Sequence, residues 1–258
     1  MNLEYASADI VKTDVNLKLL SNEPLEAVGF GKIYPKTLRE IAKLGYSKYL
    51  KYLNIFNISI SDFVEVDMED ISVFDILILF GDQDLSDVLV DSLAFFLSAT
   101  DVVLDRSFQK VKLNVVEDGE IISKEINSQN FDSISQVIKL QNYITKIEDL
   151  LEGVKKDQPP MTEGARKAKE KIMQRRQIVE KVKQKNNEDS DEVDLFSIVS
   201  TLSSKSNSID ELSIFNLSIF QIYTKFRRIE KIDRFDIGVK SLLAGAQNVK
   251  LGNYYGAL

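Results

Sequence analysis

The chain has 258 residues, 44% of them apolar, and a formal net charge of −7, which suits one large or two modest folded domains and excludes wholesale disorder. It contains neither cysteine nor histidine. Disulfides, thiol nucleophiles, imidazole bases and the usual ligand sets of zinc and haem are thereby removed, so a non-enzymatic protein without cofactor or metal is expected.

The opening MNLEYASADIVKTD carries acids where a secretory signal carries bases. No apolar run reaches the roughly 18 residues of a membrane span, so a cytoplasmic protein with no membrane partner is expected. Residues 1–35, with Pro24, Gly29, Gly31 and Pro35 among short apolar pieces, read as an extended arm with turns and one strand. Pro35 and Thr37 then open a helix whose Leu38, Ile41, Ala42 and Leu44 share a face, and Gly45 stops it. A second helix from about Ser47 turns Tyr49, Leu50, Leu53 and Phe56 inward.

Ile58–Val66 is rich in β-formers and fits a strand or a loop, whereas Met68–Phe80 and Ser86–Ser98 read as buried helices around a turn at Gly81–Asp84. Ser86 suits an N-cap for the second of these helices. The period then changes. Asp101–Asp105 and Phe108–Val116 alternate like strands, Val111, Leu113 and Val115 on one face and Lys110, Lys112 and Asn114 on the other. Gly119 supplies a hairpin turn to a returning strand at Glu120–Glu125. Asn127 or Ser128 caps a further helix, with Phe131, Ile134, Val137, Ile138 and Ile144 in a stripe continuing toward Leu151.

Pro159-Pro160 breaks that pattern, and Thr162–Lys185 follows as a basic helix thin in apolar residues, then the acidic link NNEDSDEVD. Leu195–Ser203 and a short helix from Ser208, with Glu211 completing a capping box, lead into the best-patterned stretch, Asn216–Ala246. It reads as two amphipathic helices joined at Asp233, the second capped by Asp236. Ile219, Ile222, Tyr223, Phe226 and Ile229 make the inner face, and Lys225, Arg227, Arg228 and Lys231 the outer one. Together these elements predict an α+β fold: a mixed N-terminal domain with a β-hairpin (1–152), a basic helical connector and acidic link (153–194), and a C-terminal all-α module (195–258).

Charge is segregated along the chain. Every charged residue from Tyr52 to Asp105 is acidic, and from Arg166 to Lys185 all are basic except Glu170 and Glu180. The basic helix could track phosphates, which makes a nucleic-acid-binding regulator the alternative reading. Against it, no aromatic is interleaved with these bases to stack on a base, so solvated or protein-docking charges, Arg175 and Arg176 among them, are the simpler account. Asp82, Asp84, Asp87 and Asp91 invite a cation, but GDQDLSD lacks the spaced ligands and distal Glu of a calcium loop, and acids at a helix start explain it. Gly29-Phe30-Gly31 is too short for a phosphate loop. The aromatic end, Tyr254 and Tyr255, suits either an anchor in a partner's groove or a cover for its own bundle.

The order of IYPKTLREI, EIISKEINSQNFDSISQVIKLQN, ARKAKEKIMQRR and FNLSIFQIYTKFRRIEKIDRFDIGVKSLLAGAQ resembles proteins encoded among the tail genes of long-tailed phages of Gram-positive bacteria, of the tail-assembly-chaperone type. The resemblance covers most of the chain from Ile33 and implies a protein-binding assembly factor, a chaperone or minor structural component of tail or baseplate. It implies contact with a tape-measure, tail-core or baseplate protein, in the host cytoplasm during assembly or in the virion. It brings no catalytic residues. Where such proteins carry a Trp-like aromatic near the end, this chain has Tyr254-Tyr255. Partner contact is accordingly expected at Lys225, Arg227, Arg228, Lys231, Arg175, Arg176, Tyr254 and Tyr255.

Overall fold

The computed structural model describes residues 8–58, 72–79, 83–117, 119–145, 194–206, 209–247, 249–251 and 254. Among them the chain is α+β, with eight α-helices and two small antiparallel sheets. The basic connector and most of the Ile58–Val66 piece lie outside the described residues.

The expected N-terminal arm is instead a helix followed by a hairpin. Helix α1 (Ala8–Ser21) turns only a narrow side inward: Leu19 is buried and Val15 packs on the core, while Leu17 and Leu20 are exposed. It ends in a Schellman motif, in which Asn22 takes φ 63°, its N–H donates to Leu19 O, and Glu23 N–H donates to Lys18 O. Strands β1 (Leu25–Ala27) and β2 (Gly31–Ile33) follow, with Gly29 at φ 74° in the turn between them.

Helix α2 (Leu38–Leu44) starts on a capping box: Thr37 Oγ1 accepts from Glu40 N–H, and Glu40 Oε2 accepts from Thr37 N–H at 2.9 Å. Gly45 (φ 93°) ends α2 and begins α3 (Tyr46–Asn54). Leu50, expected to face inward, is 40% exposed. Tyr52 takes the buried place, its hydroxyl donating to Asp91 Oδ2 at 2.7 Å.

Helices α4 (Val73–Leu79) and α5 (Gln83–Phe96) are the two helices expected around the acidic turn. Because α5 begins at Gln83, Ser86 is a buried helical residue and not a cap, and its hydroxyl accepts from Arg106 Nη2 at 2.8 Å. Strands β3 (Thr100–Asp105), β4 (Lys110–Glu117) and β5 (Glu120–Ile126) form an antiparallel meander. Val111, Leu113 and Val115 bury one face of β4, as the alternation predicts. Lys124 of β5 donates to Phe30 O at 2.9 Å and pairs with Glu117, tying this sheet to the first hairpin.

Helix α6 (Phe131–Gln141) begins later than expected, since Asn127 and Asn130 make a side-chain turn ahead of it: Asn130 Oδ1 accepts from Asn127 N–H at 3.0 Å. The expected stripe is buried up to Leu140, whereas Ile144 lies past the helix end and is partly exposed. Helix α7 (Leu195–Lys205) is capped by Asp194, whose carboxylate accepts from Ser197 N–H at 2.7 Å. A 3-10 turn (Ser213–Asn216) follows, with Asp210 Oδ1 accepting from the N–H groups of Leu212 and Ser213, while Ser208 lies outside the described residues.

The final element is a single helix, α8 (Ile219–Leu243), and not two joined at Asp233. Its capping box uses Ser218 and Gln221, and Asp233 and Asp236 both fall inside it, where Asp233 pairs with Lys205 of α7. Buried side chains from α1 through α8 form one continuous cluster. Main chain also crosses between the ends of the sequence: Leu38 N–H donates to Leu217 O at 2.8 Å beside a Thr37–Ser218 bridge, and Gln221 Nε2 donates to Leu20 O at 2.8 Å. No described helix is long and apolar enough to cross a membrane.

Candidate functional site

Helix α8 carries Lys225, Arg227, Arg228 and Lys231, half of the residues expected to meet a partner. Ile219 and Ile222 are buried, and Tyr223, Phe226 and Ile229 pack against the core. On the other side, the bases do not form one free face. Arg227 is exposed and holds its guanidinium 5.7 Å above the Tyr143 ring; Lys225, Arg228 and Lys231 are half-buried. Arg228 Nη1 donates to Tyr254 O at 3.5 Å, and Tyr254 meets Phe235 edge-on with ring centroids 5.3 Å apart. The described part of the aromatic end thus lies on its own helix, with Leu251 against Gly238. Arg175, Arg176 and Tyr255 lie outside the described residues.

Helices α7 and α8 run side by side in the same direction, since Leu195 and Tyr223 share a cleft near their starts and Lys205 meets Asp233 farther along. Beyond Asp233, α8 continues for about 15 Å as Arg234–Leu243, with Ile237, Leu242 and Leu243 exposed.

The cleft itself has a volume of about 310 Å³ and takes its walls from α3, the end of α6, the start of α7 and the first half of α8. Four tyrosines line it. Tyr143 and Tyr223 stack with centroids 5.4 Å apart and planes 7° apart, and Tyr46 and Tyr49 stack at 5.9 Å. Tyr49 donates to Asn142 Oδ1 at 2.9 Å, and Asn142 Nδ2 donates to Ile138 O at 2.7 Å, so both buried polar groups are satisfied. Burial raises the Tyr49 pKa, helped by the phenols of Tyr46 and Tyr223; burial and then Tyr46 raise that of Tyr223. Tyr46 is raised by burial and by the Asp194 carboxylate. All three phenols stay protonated at neutral pH and serve as hydrogen-bonding groups, not as bases.

Tyr143 sits at φ 60°, in the Schellman motif that ends α6, where Gly or Asn is usual. For a bulky residue that conformation costs about 1–3 kcal/mol. Its ring contacts with Phe220, Tyr223 and Arg227 hold it there.

Of the acids considered for a cation, Asp87 accepts from Gln83 and Asp91 from Tyr52, Asp84 lies in the first turn of α5, and Asp82 lies outside the described residues. No group of three His, Cys, Asp or Glu residues placed to hold a metal occurs among the described residues.

Residues 183–258 match the family model of the YomV second domain. This makes the C-terminal segment similar to a phage-associated domain family. No curated protein and no solved structure matches the chain. The matched segment contributes Leu195, Ile219, Tyr223 and Arg227 to the cleft, and the opposite wall, from Tyr46 to Leu53 and Asn142 to Ile144, precedes it. The one local signal of this site in the sequence is the tyrosine content of its walls.

Proposed function

We propose that the protein is a non-enzymatic, protein-binding assembly factor, a chaperone or minor structural component in phage tail or baseplate morphogenesis. Its partner in this reading is a tape-measure, tail-core or baseplate protein, met in the host cytoplasm during assembly. The observation that carries the reading is the far end of α8, where Ile237, Leu242 and Leu243 stand exposed on a helix whose first half is rooted in the core. A helix anchored at one end and apolar at the other suits helix-in-groove recognition. The phage association of the matched segment supports the same reading.

Co-expression with each tail protein of the parent phage, followed by affinity purification and mass spectrometry of purified virions, tests it. A tail protein that co-purifies with the wild-type chain, and no longer does so with Ile237→Asp plus Leu243→Asp, is the expected result. Absence from every such complex and from virions would overturn it.

A further inference from the structure

We infer that the tyrosine cleft is a docking pocket for an acidic, apolar segment of a partner protein, which places one large apolar side chain between α3 and α8 and an adjacent carboxylate on Arg227. The inference rests on the protein-binding reading above and adds to it a second, chemically defined contact.

The volume of about 310 Å³ lies at the low end of ligand pockets, about 300–1,000 Å³, which gives room for one large side chain. The buried polar groups of the wall are already satisfied. Tyr49 donates to Asn142 and Asn142 to Ile138 O, while Leu50, Leu53 and Ile219 supply aliphatic wall. An apolar occupant therefore displaces water and leaves these two buried groups paired.

The rim is polarised. At one side Arg227 is exposed, and no described carboxylate pairs with it. A guanidinium lying over a ring keeps its in-plane N–H donors available, in the fork that suits a carboxylate. Tyr46 lines the cleft from the start of α3, and near it the Asp194 carboxylate, next to the lining residue Leu195, disfavours a second anion there. The occupant's acid is thereby fixed to the α8 side. A nucleic acid fits this site poorly, since the parallel ring pairs are already closed on one another and, among the described residues, a single exposed cation lines the cleft. The strained backbone of Tyr143, which carries the ring beneath Arg227, is of the kind found where a binding surface is held ready.

The chain has no tryptophan, so the fluorescence of a Trp-containing peptide can be excited selectively over the protein's own. The probes are short capped peptides with Trp between two Asp residues, the same peptide with Asn for Asp, and the same with Lys for Asp. The Asp peptide is expected to bind saturably to the full chain with a blue-shifted spectrum, and the Asn peptide about tenfold more weakly, the loss of one partly screened charge-assisted contact. Arg227→Glu should reverse the preference, favouring the Lys peptide. Leu50→Glu, at a partly exposed wall position, should abolish binding of the Asp peptide without unfolding the chain. Equal binding of Asp and Asn peptides, no saturable binding of any peptide, or unchanged preference in a folded Arg227→Glu variant would each overturn the proposal. Any of these results alongside retained co-purification of a tail protein would remove the pocket and leave the assembly role standing.

Discussion

Replacing Ile222 by Ala asks whether the C-terminal helices and the N-terminal half unfold together. Ile222 has no exposed surface and belongs to the same buried cluster as Ile41, Ile138 and the β4 side chains. Cutting a buried Ile to Ala costs about 2–5 kcal/mol, the spread reflecting how far the site can collapse. In a chain of this size each kcal/mol lowers the melting midpoint by about 2–4 °C, so a mid-range loss of about 3 kcal/mol lowers it by about 6–12 °C. The discriminating assay is native-state hydrogen exchange read by residue. If one core unites the chain, amides of α6 and β4 lose protection together with those of α7 and α8. Loss confined to α7 and α8, with α6 and β4 protected as before, would refute the shared core.

Asn22 Oδ1 is buried without a hydrogen-bond partner, on a residue with φ 63°. Asn22→Gly removes that acceptor and relaxes the backbone, so a gain of about 1 kcal/mol is expected, measured by urea denaturation. A Cβ at Gly238 would stand 2.9 Å from Leu251 Cδ2. Gly238→Ala should therefore favour the helix by about 1 kcal/mol yet dislodge Leu251 and its neighbours, seen as faster proteolytic clipping of the C-terminal end.

Lys36 is buried beside Glu40, Nζ to Oε1 3.3 Å, and desolvation lowers its pKa against the pull of Glu40. Burial works to raise the Glu40 pKa, but hydrogen bonds from Thr37 and the charge of Lys36 outweigh it and hold the carboxyl below its ordinary value. The stability contributed by Glu40 is then complete above the ordinary value and is lost as pH falls through the lowered one. Glu40→Gln keeps the capping geometry and removes the anion. With the Glu40 side chain 44% exposed, solvent discounts the pair, and a loss of about 1 kcal/mol at neutral pH is expected. The acid limb of a stability-versus-pH curve should flatten in this variant.

The three-stranded sheet was legible because Val111, Leu113 and Val115 alternate with polar neighbours, and α2 because Thr37, Glu40 and Gly45 are local signals of a start and a stop. Helix α1 was not, since its inward side is reduced to Val15 and Leu19 while Leu17 and Leu20 blur the period. The continuity of α8 was hidden by Asp233 and Asp236, which read as a joint from sequence. In the fold, Asp233 is held by Lys205, a residue 28 positions away. Among the site residues, the basic side of α8 was readable, but its division between Tyr143 and Tyr254 depends on where two distant tyrosines arrive. Beyond the tyrosines of its walls the cleft has no local pattern, because four separate elements must pack before those walls exist.

The bond from Leu38 N–H to Leu217 O sets the order in which the molecule can be completed during synthesis. Leu38 and Ile41 leave the ribosome well before the helix start they dock against, because Leu217 lies far downstream in the sequence. Until then the nascent chain carries an apolar surface with no cover, open to a chaperone or to another nascent copy. Closure is a late, long-range event, and a chain cut short before Leu217 loses the acceptor that latches its first half.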